Sequence, residues 1–210
     1  MTALDGQAGV QPNDTVIQAD AADAGVLSQV IADAFHDLAP SRWLIPDESA
    51  RRQVFPGYFR LFVEHALASG VVHTTHARAA VALSLPVGEN GPDQLAGYEE
   101  RLAAATSPWT YRFRAFDAAL DRHHPVGAAH QHLALLAVRP EMQGRGTGTA
   151  LLRAHHARLD GLGAPAYLEA SDQRTRRLYL AHGYADYGPA IRLPGGPAMH
   201  PMWRQPRNHP

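Results

Sequence analysis

The residues best able to do chemistry are a glycine-rich turn at 143–148, several histidine pairs and a tyrosine that precedes a Gly-Tyr pair. The turn, Gln-Gly-Arg-Gly-Thr-Gly, follows an apolar run ending at Val138 and precedes an amphipathic segment that reaches Leu159. Glycine allows positive φ and close approach of a ligand, and the first N–H groups of a helix are unpaired at its positive end. The order predicts a phosphate or pyrophosphate site, to which Arg145 and Arg153 add charge.

The spacing of the glycines excludes a dinucleotide-binding turn but leaves a turn without a ligand as an alternative. A dinucleotide fingerprint needs G-x-G-x-x-G, but the third glycine position holds Thr149 when counted from Gly144 and Leu151 when counted from Gly146. A plain tight turn before a helix remains the alternative.

Composition excludes several other classes. The 210 residues contain no cysteine, and all 19 cationic side chains are arginines. Thiolate catalysis, Cys-ligated zinc, Walker A loops and Schiff-base lysines are therefore excluded. The net charge of −1 predicts no nucleic-acid or anionic-lipid partner, and no apolar run is long enough for a membrane span. The start of the chain lacks the features of a signal peptide, so we expect a cytoplasmic protein.

Strand and helix patterns alternate along the chain, which predicts one α/β domain over 14–210 after a flexible N-terminal tail at 1–13. The segment 130–138 is predicted as a strand. Its period of two would place His130, His132, Ala134, Leu136 and Val138 on one face. Pro40 to Pro46 is predicted as a break, and Pro56 as the start or a kink of a helix.

Two motifs resemble the GNAT superfamily of acyl-CoA N-acyltransferases. Gln143-x-x-Gly146-x-Gly148 after a strand is similar to the family's motif A, and Leu-Tyr179-x-x-x-Gly183-Tyr is similar to its second signature. The order of elements and the closing segment most resemble the branch that includes puromycin N-acetyltransferase. The resemblance implies a central, mixed, mostly antiparallel twisted sheet flanked by helices. It also implies acetyl-CoA as cosubstrate and a small-molecule amine as acceptor.

The resemblance also implies positions for the cofactor. The pyrophosphate of the cofactor would lie on the backbone amides of the turn. Its pantetheine arm would lie like an added strand beside the predicted strand that ends at Val138. The N–H of Val138 would then face the thioester oxygen. Thr175 stands where many relatives carry a CoA-contacting Asn, and its shorter side chain puts that contact in doubt. The predicted cofactor residues are Leu136, Ala137, Val138, Gln143, Gly144, Arg145, Gly146, Thr147, Gly148 and Thr175.

Three side chains are candidates for catalysis. Tyr179, whose phenol stays protonated at neutral pH, would donate to the leaving sulfur. The family often carries a general base six residues before the final strand Val, which here is His132. Glu169 on the neighbouring strand is the rival, and loss of the proton through water without a dedicated base is the third alternative.

The histidine pairs are not predicted to bind a metal. Adjacent residues point in different directions, H-E-x-x-H is absent, and no carboxylate stands at a matching spacing from His130 and His132. The resemblance thus implies an acetyl-CoA-dependent N-acetyltransferase, with no metal expected, and homodimers are frequent in the family. A catalytically silent acyl-CoA-binding or sensing module is the alternative.

Overall fold

A computed structural model describes residues 15–93 and 95–207; the predicted tail at 1–13 lies outside them. In the described residues the strands are β1 Val16–Gln18, β2 Val71–Thr75, β3 Ala80–Val87, β4 His130–Val138, β5 Ala166–Ala170, β6 Ala185–Asp186, β7 Ile191–Arg192 and β8 Ala198–Arg204. The helices are α1 Ala24–Phe35, α2 Ala39–Leu44, α3 Glu48–Ser69, α4 Tyr98–Thr106, α5 Thr110–Asp121, α6 Thr147–Leu162 and α7 Gln173–Ala181.

The strands form one mixed sheet in the order β1-β2-β3-β4-β5-β8-β6, and β7 pairs with β8. Every pairing is antiparallel except that of β4 with β5. This α/β architecture, mostly antiparallel and flanked by helices, confirms the predicted fold class.

Helices cover both faces of the sheet. The apolar residues of α1 and α3 pack on one face around Phe55, Leu83 and Ala137. Those of α6 pack on the opposite face around Leu151 and Leu168. Because both faces are covered, the central strands are apolar on both sides, and polar residues on them are conspicuous.

A β-bulge in β4 changes which side chains share a face. Ser84 pairs with Leu133 and Leu83 pairs with Leu135, so Ala134 is the extra residue. An extra residue reverses the alternation beyond it. Leu136 and Val138 therefore pack on the α6 side with Leu133, so the prediction that they share a face with His130 and His132 is wrong.

Two prolines behave differently from the predictions. The stretch predicted as a break contains α2, with Pro40 in its first turn, where no intrahelical N–H is required. Pro56 does not start a helix, because α3 begins at Glu48, where the Asp47 carboxylate caps it by accepting the N–H of Ala50. Pro56 lies within α3.

Within the described residues, no helix combines the length and the apolar character that crossing a membrane requires.

Candidate active site

A cleft opens where β4 and β5 separate. The two strands pair only at Gln131 with Ala166 and at His132 with Tyr167. Beyond His132, β4 continues to Val138 beside β3, while β5 continues beside β8. A cavity of about 620 Å³ lies along this separation. The backbone edge of β4 on this side is therefore available to a ligand that pairs like a strand.

The glycine-rich turn forms one end of the cleft. Gly144 and Gly146 have φ of 75° and 88°, and α6 begins directly after Gly146. The N–H of Ala150 makes the first bond of the helix, to the carbonyl of Gly146. The three N–H groups before it, at 147–149, have no backbone partner among the described residues. A Cβ added at Gly144 or Gly146 would meet nothing within 4 Å, so open space adjoins the backbone.

The structure orients the backbone of Val138 toward the cleft. The N–H of Arg139 bonds to Ala79 of the segment leading into β3. Because successive residues of a strand point their N–H groups to opposite sides, the N–H of Val138 faces away from β3. Its carbonyl accepts a hydrogen bond from Nε2 of Gln143 at 3.0 Å, so the Gln143 side chain closes the turn onto the strand.

The remaining predicted cofactor residues divide into two groups. Leu136 and Ala137 line the cleft, as do Thr147 and Gly148, and the Thr147 hydroxyl is buried without a partner. Arg145 is exposed and is not among the residues that line the cleft.

Thr175 is used by its own helix. Its N–H donates to the Asp172 carboxylate at 2.7 Å, and its hydroxyl accepts the N–H of Asp172 at 3.2 Å. This capping box fixes the start of α7. Thr175 lines the cleft, but its hydroxyl is already engaged. Arg174, the preceding residue, also lines the cleft and supplies a cation to it.

Tyr179 lies on α7 with its ring in the core beside Tyr184 and its side chain lining the cleft. Burial, followed by the negative charge of Asp172, raises the pKa of the Tyr179 phenol well above its ordinary value. Among the described residues its hydroxyl has no hydrogen-bond partner. The phenol therefore stays protonated and free to donate.

His132 and Glu169, predicted as rivals, lie side by side across the strand separation. Nε2 of His132 is 2.9 Å from Oε2 of Glu169, and the Glu169 side chain is only 5% exposed. Burial raises the pKa of the Glu169 carboxyl, but the attraction of His132 and His124 outweighs it, so the net pKa is lowered. Glu169 is therefore a carboxylate that accepts from His132, and Nδ1 of His132 makes no hydrogen bond to the part of the chain that the structure describes.

Two further histidines and a tyrosine pack behind this pair. Nδ1 of His130 lies 2.8 Å from the Ala128 carbonyl and must donate to it, so Nε2 of His130 accepts from Nε2 of His124 at 3.1 Å. Burial, then the positive charge of His132, lowers the pKa of His124 to about 4. The buried Tyr167 hydroxyl lies near enough to Glu169 to contribute to its lowered pKa, although neither it nor Oε1 of Glu169 has a hydrogen bond.

The cluster corrects one step of the sequence reasoning about metals. A carboxylate does adjoin the histidines, because the sheet brings Glu169 beside His132 and His124, with one ligand atom of each within 4.8 Å of the others. No sequence spacing reveals this contact, since it joins β5 to β4 and to the segment before it. The absence of a metal stays a prediction.

The far end of the cleft is apolar and carries a carboxylate. Aromatic side chains of α3 and Phe116 of α5 line it together with Asp117. The Tyr98 hydroxyl donates to Asp117 at 2.8 Å. Burial, followed by the charges of Asp121 and Glu99, raises the Asp117 pKa to about 6 against the opposing effect of Tyr98.

Comparisons with known proteins agree with this geometry. Residues 114–186 match the family model of the acetyltransferase (GNAT) domain. A solved structure described as histone acetyltransferase HPA2 and related acetyltransferase from Corynebacterium glutamicum is 25% identical, with a TM-score of 0.69 over 93% of this chain and 97% of that one. The chain has the GNAT fold. The two findings together support an acetyltransferase domain and acetyl transfer in general.

More distant GNAT structures share the fold. Arylalkylamine N-acetyltransferase 2 from Aedes aegypti is 12% identical, with a TM-score of 0.65 over 92% of this chain and 99% of that one. The PaiA N-acetyltransferase from Thermoplasma acidophilum, solved in complex with coenzyme A, is 9% identical, with a TM-score of 0.57 over 91% of this chain and 98% of that one. A comparison with curated protein sequences gave no match.

Within this GNAT fold, Asp117 is the cleft residue that the sequence reasoning missed. A signal was present, because Phe113, Phe116 and Leu120 form an apolar stripe on α5 that Asp117 interrupts. Of the aromatic residues on α5, Phe116 lines the cleft, whereas Phe113 is fully buried and Tyr111 is 62% exposed.

We expect Asp117→Asn to stabilise the protein at pH 7. The Asp117 pKa is about 6 in the fold against an ordinary 3.8, so the folded state holds this proton more tightly than the unfolded chain. The tighter binding of this proton contributes its full stabilisation of the fold below about pH 4, and the contribution is lost as the pH rises to about 6. Asn cannot ionise and its amide oxygen still accepts from Tyr98. The free energy of unfolding at pH 7 should therefore rise by roughly 1–3 kcal/mol. Denaturant unfolding of both proteins at pH 4 and pH 7 measures the difference, and an equal effect at both pH values would contradict it.

Proposed function

We propose that the protein is an N-acetyltransferase that transfers the acetyl group of acetyl-CoA directly to the amine of a small molecule. The observation that carries the proposal is the single cleft that joins the glycine-rich turn, Tyr179 and the His132–Glu169 pair. The GNAT fold and the acetyltransferase family model support the general reaction. The kinship to the puromycin N-acetyltransferase branch, the cytoplasmic location, the homodimer and the lack of nucleic-acid partners remain predictions.

The residues of the turn fit the pyrophosphate of acetyl-CoA. Free N–H groups at the start of α6 face open space, and Gly144 and Gly146 hold the left-handed backbone that presents them. The edge of β4 would hold the pantetheine arm, with the Val138 N–H directed at the thioester oxygen. When bound, acetyl-CoA supplies the activated acyl group.

The reaction needs two proton movements. The amine nitrogen forms a bond to the acyl carbon and loses a proton, while the carbon–sulfur bond breaks and the sulfur gains a proton. In the proposal, Nδ1 of His132 accepts the first proton, Glu169 holds the ring and stabilises its positive charge, and Tyr179 donates the second. Glu169 is thus a positioning residue rather than a rival base.

The turn is tested by a charge placed where the phosphate would lie. Gly148 is within α6 with an ordinary φ, and a Cβ there would make only a normal contact, 3.6 Å from Val138. We expect Gly148→Glu to fold and to lose acetyl-CoA affinity by at least about 100-fold, because the carboxylate faces the phosphates. Calorimetric titration with acetyl-CoA measures this. Gly148→Ala is the matched control and should retain affinity within several-fold; equal affinity of the two variants would exclude the assignment.

Tyr179→Phe should lower kcat and leave acetyl-CoA affinity nearly unchanged. The hydroxyl acts only when sulfur gains charge, so its loss should raise the barrier by roughly 2–4 kcal/mol, the range for loss of a comparable donor. Steady-state thiol release with a reactive amine gives kcat, and calorimetry gives the affinity. A change confined to KM would show that the hydroxyl serves binding instead.

The base is tested by the pH dependence of kcat/KM. The value of kcat/KM should rise with pH, because only the neutral imidazole of His132 can accept the proton that the amine loses. His132→Ala should abolish this limb and lower kcat/KM by about 100-fold or more, and His132→Gln should also lose it. Glu169→Gln should keep the limb at a reduced rate, as a positioning role requires.

The Asp117 pKa is raised to about 6, so the charge of the cleft also changes near neutral pH. Asp117→Asn must therefore be measured in parallel, and its kcat/KM should still rise with pH. An unaltered pH profile in His132→Ala would mean that the proton leaves through water. Binding of acetyl-CoA without thiol release for any amine would instead support the silent sensing module.

A further inference from the structure

The acceptor half of the cleft has a charge and polarity of its own. Its walls are apolar side chains of α1, α2, α3 and α5, among them Phe35, Leu44, Phe59, Phe62, Phe116 and Leu120. Such walls bury the body of a ligand and offer few partners for hydroxyl groups, so a polyhydroxylated acceptor would lose hydrogen bonds to water there.

The cleft lining holds more carboxylates than cations. Arg174 of α7 is the one arginine that lines the cleft within the described part of the chain, and Asp172, at the start of the same helix, also lines it. The acceptor half carries Glu169, held by His132, and Asp117, held by Tyr98. Neither carboxylate has an arginine partner among the described residues. An anionic ligand group would thus meet like charges and no cation other than a protonated imidazole.

The ionised carboxylate of Asp117 lowers the stability of the fold. Its role toward Tyr98 is that of a hydrogen-bond acceptor, which an amide oxygen would fill equally well. A partly buried carboxylate without a cationic partner destabilises the fold, and such costs are typical of sites kept for binding. The charge of Asp117, rather than its hydrogen bond, therefore requires an explanation.

We propose that Asp117 is a specificity-determining residue which makes the cleft select a cationic amine with an apolar body and reject acceptors that carry a carboxylate. This deepens the proposed function and rests on it for the reaction, but not for the binding preference. Coulomb attraction and repulsion are both strong in an apolar cleft, because the effective dielectric constant there is well below that of water.

The test compares three ligands with the same aromatic body: 2-phenylethylamine, L-phenylalanine and 3-phenylpropanoate. In calorimetric titrations in the presence of CoA, the wild type should bind 2-phenylethylamine at least about tenfold more tightly than either carboxylate. The kcat/KM of the wild type for acetyl transfer to 2-phenylethylamine should exceed its kcat/KM for L-phenylalanine by about 100-fold or more. Asp117→Asn should reduce both preferences by about tenfold, mainly through weaker binding of 2-phenylethylamine.

The matched control is Asp33→Asn. It makes the same substitution at an exposed side chain of α1 that does not line the cleft, so it should change the preferences by no more than about twofold. An equal loss in both variants would mean that net charge, not the position of Asp117, sets the preference, and would overturn the assignment.

Failure of this inference differs from failure of the proposed function. Acetyl transfer to 2-phenylethylamine and L-phenylalanine at similar rates would overturn the selectivity and leave the acetyltransferase intact. The binding preference without acetyl transfer to any amine would support Asp117 as a selector and overturn the enzymatic function.

Discussion

The separation of β4 from β5 after two paired residues is the constraint on which the site depends. A sheet that stayed paired to the end of β4 would leave no free backbone edge and no gap. Because the strands diverge, the apolar layers of α1, α3 and α6 can close both faces of the sheet and still leave a cavity between two strands. The cleft is therefore a property of the sheet, not of the surrounding loops.

The last point of pairing also fixes the proposed proton chemistry. His132 and Tyr167 are directly opposite one another there, and Glu169 lies two residues further along the diverging strand. Its side chain returns across the widening gap to reach His132, which explains how a carboxylate and an imidazole from two strands form one buried pair. Rigid strands hold such a pair more closely than loops would.

The bulge at Ala134 divides β4 into two parts whose side chains contact different parts of the molecule. Before it, the strand presents His132 to the cleft; beyond it, Leu136 and Val138 turn toward α6 and anchor that helix against the sheet. This anchoring matters for the turn at 143–148, because α6 must start at a fixed place for its free N–H groups to face the cleft. A regular strand would place histidines and anchors on the same face.

The sequence by itself determined the features set by neighbouring residues. Glycines at 144 and 146 dictate a left-handed turn, and the strand before it and the helix after it follow from local patterns. Tyr179 became a candidate because its spacing to Gly183 resembles the second GNAT signature, which is a local pattern. The Glu169–His132 contact, the packing of His124 and the placement of Asp117 were decided only by the tertiary structure. The bulge reversed a face that period-two counting had assigned, because strand register depends on both strands of a pair and not on either sequence alone.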